Sequence, residues 1–400
     1  MCKFRSFSFG TEGANHTSYG LPCQDASLND DFLYNNNSVS VVAIADGHGS
    51  PQYFRSDIGA KIAADVALKG IKEFCGNYSD TPDSFIEGNG ITLLERLAKH
   101  VISAWYTCVS DVDNSSPVSG DVKIESLDEK YRYKYRNDPD NQYFCHAYGT
   151  TLIAVAMSDN YWFGFQIGDG KCEVLYEDGG WDQPIPWDEN CFLNSTTSLC
   201  DEDAIKEFRY WYGFRRTDGT YMEHRYAADN PDTDNIRTLA VRPIAVFIGS
   251  DGVDDTYPIH DNETYLVYLY RSIVLSIAEN GYDRTEAQIL DLAKRLAEQG
   301  SRDDVSIAGI IGDIRANNDL IGILKKQSAA DIAKQQTAAT AEAATEVTNG
   351  IEVEAIDEDG IEVEAETTAA TVTETTTETA TEVSAESATE TTTENVVATE

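Results

Sequence analysis

The sequence from Ser38 to Ser50, S-V-S-V-V-A-I-A-D-G-H-G-S, carries the strongest fold signal in the chain. Five of the six residues from Val41 to Asp46 are apolar, and this unbroken run predicts a fully buried strand. The run stops at Asp46, and a glycine-flanked His48 follows it. A carboxylate at the end of a buried strand is costly unless it has a partner, and we expect that partner to be a divalent metal ion.

Composition limits the class of partner. The chain of 400 residues is 41% hydrophobic, which suffices for one large domain or two ordinary ones. Its formal net charge of −39 argues against nucleic acid or an anionic membrane as a partner. Residues 335–400 contain 17 acidic residues and no basic residue, so residues 1–334 still carry −22. An acidic body of this kind suits a site that collects divalent cations.

Cysteine usage and the N-terminal sequence bear on the compartment. Eight scattered cysteines without a C-x-x-C pair favour reduced thiols over disulfides or a zinc site. The first ten residues, M-C-K-F-R-S-F-S-F-G, lack the apolar core of a signal peptide. No apolar run approaches the roughly 18 residues that span a bilayer. We therefore expect a cytoplasmic protein without membrane contact.

Apolar runs without helical spacing predict further strands. They lie at residues 4–10, 148–156, 162–167, 171–176, 244–249 and 305–311. An Asn35-Asn36-Asn37 turn predicts a hairpin that would bring Asp25 near Asp46. The aromatic and charged residues 209–226 are interpreted as a mobile flap, and residues 192–199 as a strand.

Apolar residues at helical spacing predict helices at 51–74, 91–109, 203–212, 264–278 and 283–299. The last of these begins with Asp283-x-x-Glu286, which resembles a capping box. Residues 110–141 are polar and tyrosine-rich, which is typical of an insertion or a long loop. Residues 320–334 predict a helix, and the Ala-, Thr- and Glu-rich sequence after them buries too little apolar area to offset its chain entropy.

Aspartates recur where buried strands begin or end. They are Asp46, Asp169, Asp251 and Asp303, with Asp25 and Asp255 close to two of them in sequence. If these strand ends face one another, the concentrated negative charge is tolerable only with cations. Oxygen ligands favour Mg²⁺ or Mn²⁺ over zinc. Two such ions roughly 3.5–4 Å apart can hold an attacking hydroxide and clamp a phosphoryl group.

Six short motifs, in this order, resemble those of metal-dependent serine/threonine phosphatases of the protein phosphatase 2C type. They are Q-D-A (24–26), A-D-G-H-G (45–49), Y-G-T-T-L (148–152), I-G-D-G (167–170), S-D-G-V-D-D (250–255) and S-R-D-D-V-S (301–306). The form P-C-Q-D-A is similar to the bacterial branch of the family. The resemblance implies an α+β fold, a four-layer αββα sandwich of two antiparallel sheets flanked by helix pairs.

The resemblance covers about residues 4–314, so we assign a catalytic domain to residues 1–314. A helical linker would occupy residues 315–334, and a disordered acidic C-terminal tail residues 335–400. The implied reaction is hydrolysis of phosphoserine and phosphothreonine in proteins, by a metal-bridging hydroxide that attacks phosphorus. The resemblance implies phosphoprotein substrates that are targets of a serine/threonine kinase.

The resemblance also implies metal ligands, residue by residue. Asp46 would bridge two Mg²⁺ or Mn²⁺ ions, and the Gly47 carbonyl would bind the second ion. Asp251 and Asp303 would bind the first ion, and Asp25 would act through metal-bound water.

Further roles follow from the same resemblance. Asp169 and Asp255 would hold a third, looser ion. His48 would be the general acid that protonates the leaving oxygen, and an unperturbed imidazole, which titrates near neutrality, suits that role. Asp254 and Asp304 are expected to cap or orient the adjacent ligands.

The chain departs from the family pattern at two positions. The family often has an arginine that grips phosphate where this chain has Gly20, and His16 or Arg5 are the candidate substitutes. His16 alone has the character of a loop residue. The carboxylate that often precedes the Asp25 position is replaced by Gln24.

Two other functions stay open from the sequence. One is a phosphatase-like module that binds a phosphoprotein with little or no turnover, which the missing arginine and the long tail favour. The other is a metal-dependent hydrolase of a small phosphate ester or nucleotide.

Overall fold

A computed structural model describes residues 4–34, 37–78, 90–138, 142–191, 195–230 and 234–349. Its strands are β1 (Phe4–Thr11), β2 (Asp25–Tyr34), β3 (Asn37–Asp46), β4 (Leu152–Ser158), β5 (Tyr161–Ile167), β6 (Lys171–Tyr176), β7 (Trp181–Asp182), β8 (Arg209–Arg215), β9 (Tyr221–Ala227), β10 (Asn235–Leu239), β11 (Pro243–Gly249) and β12 (Val305–Gly312).

Helices connect and cover these strands. They are α1 (Ala14–Tyr19), α2 (Ser56–Tyr78), α3 (Gly90–Ser115), α4 (Glu129–Arg136), α5 (Ala204–Glu207), α6 (Asp251–Asp254), α7 (Asn262–Asn280), α8 (Tyr282–Gln299) and α9 (Asn318–Asn349). Short 3₁₀ turns add Pro51–Tyr53, Val118–Gly120, Val122–Ser126 and Tyr143–Tyr148.

The strands form two sheets, and within each sheet the neighbouring strands are antiparallel. One sheet has the order β1-β12-β11-β6-β7, and the other β10-β9-β8-β5-β4-β3-β2. Because the central strands are buried on both faces, they appear in the sequence as unbroken apolar runs rather than alternating ones.

Three hydrophobic clusters separate four layers. One, which includes Val42, Ile153 and Ile310, lies between the two sheets. A second packs helices α2 and α3 against the larger sheet, and a third packs α7 and α8 against the smaller one. The predicted αββα sandwich with two antiparallel sheets is therefore confirmed.

The predicted hairpin is confirmed, because β2 pairs with β3 and places Asp25 directly opposite Asp46. The prediction of a mobile flap at 209–226 is wrong. Residues 209–215 form β8, an interior strand between β5 and β9, and all but Arg215 are buried. Its aromatic side chains serve two cores, since Tyr210 faces the helices and Trp211 the opposite sheet.

Three smaller predictions also change. The helix predicted at 203–212 is limited to Ala204–Glu207. The capping box at Asp283 is absent, because the N-cap of α8 is Gly281 and Asp283 instead accepts a hydrogen bond from Arg5 at 2.9 Å. Of the strand predicted at 192–199, residues 192–194 lie outside the described residues, and residues 196–198 have no regular structure.

The C-terminal helix α9 contains the predicted helix 320–334 and continues to Asn349. Contacts divide the chain into the units Met1–Thr337 and Ala338–Glu400. Residues 350–400, most of the predicted tail, lie outside the described residues. Within the described part of the chain, no helix combines the length and the apolar character that crossing a membrane requires.

Candidate metal centre and active site

Six strands bring the predicted acidic residues to one end of the sandwich. Asp25 begins β2 and Asp46 ends the neighbouring β3. Asp251 follows β11, and Asp303 precedes β12, its antiparallel neighbour. Asp169 lies in the turn from β5 in the larger sheet to β6 in the smaller one. Residues up to 278 positions apart in sequence thus converge because of how the strands pair.

These strand ends surround a cavity of about 460 Å³. Of the residues singled out in the sequence, the lining includes Asp46, Gly47, His48, Asp169, Asp251, Asp255 and Asp303. Asp25 is absent from the lining, because it is buried beside Asp46 in the hairpin. The structure therefore places the expected metal ligands and His48 in or directly beside one cavity.

The carboxyl groups in this cavity disfavour one another's ionisation. Burial, followed by the charges of Asp304 and Asp251, raises the pKa of Asp25 to about 8. Burial also raises the pKa of Asp251 to about 7. The pKa of Asp46 is raised as well, by burial first and then by the charges of Asp251 and Asp25. Added positive charge would relieve this repulsion.

The outer pair of carboxylates follows the same trend. Burial raises the pKa of Asp169 and of Asp255 above the ordinary value. Lys171 lowers both pKa values in part, and its Nζ lies 4.0 Å from an oxygen of Asp254. Asn262 also donates a hydrogen bond to Asp254 at 3.1 Å. The contacts of Asp254 are therefore with Lys171 and Asn262, and its orienting role toward the adjacent ligands stays a prediction.

The donor set fits hard divalent cations. Ser250 Oγ donates a hydrogen bond to Asp25 Oδ2 at 2.9 Å. Asp25 Oδ1 is buried and has no hydrogen-bond partner among the described residues. A buried carboxylate oxygen without a donor, in a group of further carboxylates, is what an oxygen-preferring ion such as Mg²⁺ or Mn²⁺ requires.

The Y-G-T-T-L motif holds Asp46 in place through backbone geometry. The Asp46 N–H donates to Thr151 Oγ1 at 3.1 Å, and the Thr151 N–H donates to the Asp46 carbonyl at 2.8 Å. Thr150 Oγ1 donates to the same carbonyl at 2.8 Å. Gly47 is required next, because a Cβ there would lie 2.8 Å from backbone atoms of Gln24 and Ser56.

His48 is placed at the cavity but differs electrostatically from expectation. Its ring packs edge-on against Tyr53, with centroids 4.7 Å apart, and the backbone N–H of His48 donates to the Gly149 carbonyl at 3.1 Å. Burial lowers the pKa of His48 to about 4, well below the near-neutral value expected from the sequence. The ring is therefore neutral at pH 7 in the metal-free protein.

His16 is the site residue that the sequence analysis undervalued. It lies on α1 and lines the cavity, with Nδ1 2.8 Å from Asp304 Oδ2 and Nε2 3.4 Å from Asp303 Oδ1. Hydrogen bonding to Asp304 raises the pKa of His16. The available signal was spacing, since His16 lies four residues before Gly20, where the family often has arginine.

Asp304 organises the loops around His16. Its carboxylate accepts hydrogen bonds from the backbone N–H groups of Gly13 at 2.7 Å and Gln24 at 2.6 Å. Burial alone would raise the pKa of Asp304, but the bonds from His16, Gly13 and Gln24 hold it below the ordinary value. These bonds agree with the predicted orienting role of Asp304.

The other candidate phosphate ligand is not in the cavity. Arg5 donates to Asp283 at 2.9 Å, and its guanidinium lies 3.7 Å above the ring centroid of Tyr282. Both contacts are with helix α8. Arg5 therefore belongs to the packing of that helix, and the suggestion that it replaces the arginine is wrong.

Comparison with known proteins agrees with the motif resemblance. Residues 12–299 match a family model described as protein phosphatase 2C. No curated protein sequence matches the chain.

Several solved structures are similar over most of their length. A manganese complex of the catalytic domain of the serine threonine protein phosphatase PstP shares 15% identity, covering 77% of this chain and 97% of that one, with a TM-score of 0.39. PstP/Ppp from Mycobacterium tuberculosis shares 14%, with 77% and 98% covered and a TM-score of 0.39. Stp1 from Staphylococcus aureus shares 12%, with 78% and 95% covered and a TM-score of 0.40.

Proposed function

This chain belongs to the protein phosphatase 2C family of metal-dependent serine/threonine phosphatases, and we propose that it hydrolyses phosphoserine and phosphothreonine in proteins at the acidic cavity. The observation that carries the proposal is the convergence of the strand-end aspartates on one cavity of about 460 Å³. The raised pKa values of Asp25 and Asp251 support it, because they indicate a site with an excess of negative charge.

Each ligand position is proposed from the family motif that it matches. Asp46 and the Gly47 carbonyl would hold two ions together, with Asp251 and Asp303 on the first ion. Asp25 would act from the buried side, next to Asp46 in the hairpin. When bound, Mg²⁺ or Mn²⁺ supplies positive charge to the phosphoryl oxygens and lowers the pKa of water.

Asp169 and Asp255 form the outer edge of the proposed centre and would hold a third ion. Lys171 lies near this edge, with Nζ 4.0 Å from Asp254, and is the positively charged side chain of the protein there. We therefore propose three ions in total. Two are held by the inner ligands and one by Asp169 and Asp255 at the outer edge.

The chain contributes proton handling and positioning. In hydrolysis, oxygen from water bonds to phosphorus, the bond from phosphorus to the Ser or Thr oxygen breaks, and that oxygen gains a proton. We propose His48 as the proton donor to the leaving oxygen. Although its ring is neutral at pH 7 in the metal-free protein, an approaching phosphate dianion raises the pKa of a neighbouring imidazole.

His16 lies four residues before Gly20, the position of the missing arginine, and lines the cavity. With both ring nitrogens directed at Asp303 and Asp304, it holds Asp303 in the cavity. We therefore propose His16 as a positioning residue for Asp303, and a donor to phosphate only through movement of its ring. The phosphate itself would be bound mainly by the ions.

The experiment compares turnover of p-nitrophenyl phosphate and of a phosphothreonine peptide in Mn²⁺ by the wild type, Asp46→Ala and Asp251→Ala. Loss of one charge-stabilising group commonly costs a factor of about 10² or more in rate, and we expect at least that loss. The matched control is Asp203→Ala, an exposed aspartate outside the cavity, which should keep wild-type turnover.

The results also separate the alternatives. Equal rates for the wild type, Asp46→Ala and Asp251→Ala would contradict the proposal. A phosphopeptide that binds by calorimetry but releases no phosphate over hours would select a binding module. Turnover limited to small esters or nucleotides would select the small-ester hydrolase.

A further inference from the structure

Helix α4, Glu129–Arg136, is a basic and tyrosine-rich element in a strongly acidic protein. Its sequence, E-K-Y-R-Y-K-Y-R, has four cationic residues in eight positions. The proposed chemistry uses none of them. Tyr133 is 66% exposed, a large aromatic side chain left in solvent.

Part of the local positive charge is already compensated. Arg136 forms an ion pair with Glu125, in the turn before the helix. Lys123 donates to the Phe54 carbonyl at 3.0 Å. At the N-terminus of the helix, Asp128 and Glu129 are favourable to the helix dipole.

Two exposed cations remain, Lys130 and Lys134, and neither forms an ion pair within 4 Å among the described residues. Arg132 is half-buried and donates to the Leu127 carbonyl at 3.1 Å. Lys134 Nζ lies 4.8 Å from the ring centroid of Tyr143, and Lys130 Nζ lies 5.2 Å from that of Tyr131. These contacts leave the ammonium groups able to accept an anionic partner, because both lysines are exposed.

The helix touches the wall of the catalytic cavity. The buried Tyr135 donates its hydroxyl hydrogen bond to the Gln52 carbonyl at 2.6 Å and packs against Phe54 at 5.4 Å. Gln52 and Tyr53 both line the cavity. Helix α4 therefore adjoins the residues that line the cavity.

We propose that α4 docks an acidic segment of the phosphoprotein substrate, next to its phosphorylated residue. The inference rests on the proposed function and adds a substrate preference to it. Complementary charge is the argument: residues 1–334 carry −22 and repel acidic polypeptides, so a local group of free cations decides where such a polypeptide can bind. An exposed tyrosine beside them is typical of protein interfaces.

The experiment uses the full chain with Mn²⁺ and two phosphothreonine peptides that differ only in flanking residues, Asp and Glu in one and Ala and Ser in the other. The variant is Lys130→Gln/Lys134→Gln. The control is Lys294→Gln/Lys326→Gln, which makes the same charge change at exposed lysines on α8 and α9. Labelled acidic peptide gives binding by fluorescence anisotropy, independently of turnover.

We expect the wild type and the control to favour the acidic peptide in kcat/KM at low salt. The Lys130→Gln/Lys134→Gln variant should lose about three- to tenfold with that peptide, and added salt should remove the preference. Turnover of the neutral peptide and of p-nitrophenyl phosphate should stay unchanged, because neither has acidic flanking residues that could contact α4.

Three outcomes would overturn the inference. One is an equal loss of both peptides in the variant. Another is a wild type that shows no preference for the acidic peptide. The third is equally tight binding of a single-stranded oligonucleotide. If no substrate is hydrolysed, the proposed function fails, while the anisotropy measurement still tests the helix.

Discussion

Two acidic clusters in this protein differ in how their charge is balanced. The first is the catalytic cavity, where Asp46 and Asp251 face each other. The second brings together Asp188, Glu207 and Asp229, whose carboxylate oxygens lie within 4.8 Å of one another. In the second cluster, a buried arginine occupies the centre.

That arginine is Arg209, only 2% exposed. It donates to Asp188 at 2.6 Å and to Asp229 at 2.9 Å, and Asn190 donates to Glu207 at 3.0 Å. The chain therefore neutralises much of this cluster by itself. Similar clusters of carboxylates can thus be an internal ion-pair network or a place for an external cation.

In the catalytic cavity, the chain supplies far less positive charge. Among the described residues, its ion pairs are His16 with Asp303 and Asp304, and Lys171 with Asp254 at 4.0 Å. No lysine or arginine of the described chain lies within 4 Å of the Asp46 carboxylate. The missing positive charge distinguishes this cavity from the internal network and supports the proposed metal site.

The largest effect is expected from a substitution that removes Arg209, the internal cation of the second cluster. Arg209→Met should lower the free energy of unfolding by about 3–5 kcal/mol, because it leaves buried carboxylates unpaired. Urea denaturation of the full chain measures this loss. Arg216→Met, an exposed arginine after the same strand, should stay within about 0.5 kcal/mol of the wild type. Equal stability of the two variants would contradict the comparison.

A smaller effect should come from adding the external cation. At a free Mn²⁺ concentration 100 times the dissociation constant, binding stabilises the native state by about 2.7 kcal/mol. We expect Mn²⁺ to raise the Tm of the wild type and of Asp188→Asn, and Asp251→Asn to lose most of that rise. If the rise in Tm persists in Asp251→Asn but disappears in Asp188→Asn, the ion binds in the second cluster and the comparison is contradicted.

A third effect is the pH dependence of the metal-free protein. The folded pKa values of Asp25 and Asp251, about 8 and about 7, exceed the value near 3.9 of an unfolded chain. The folded state therefore retains protons that the unfolded state has released. Stability contributed by these groups is complete below about pH 4 and is lost as pH rises through about 8.

The test of this pH dependence is the Tm of the protein in EDTA between pH 5 and pH 8. It should fall with rising pH, and the fall should be weaker in Asp25→Asn. In Mn²⁺ the fall should diminish, because ion binding requires ionised carboxylates. Asp203→Asn serves as the exposed control. A Tm in EDTA that climbs over this range, in all variants alike, would show that the cavity carboxyls do not govern it.

The elements that the sequence predicted well are those whose signal is local. An unbroken apolar run and a following Asp-Gly pair identified β3, β5 and β11 with their ends nearly in place. The turn of asparagines identified the hairpin, and its antiparallel pairing then required Asp25 to face Asp46. These features depend on residues within one or two elements.

The failures share a non-local cause. Residues 209–215 contain aromatic and charged side chains together, which suggested a flap, yet Arg209 is buried because Asp188 and Asp229 surround it. His16 had the character of a loop residue because its charged partners are not near it in sequence. Its partners, Asp303 and Asp304, lie almost 300 residues away.

The sequence by itself determined which aspartates end buried strands. It also gave the order of the six motifs along the chain, and hence the family of the chain. Only the tertiary structure decided which carboxylates are balanced by an arginine, where His16 points and which wall of the cavity α4 adjoins. The physical reason is range: strand periodicity and turn chemistry act between neighbours in sequence, whereas charge balance and burial depend on pairings across two sheets.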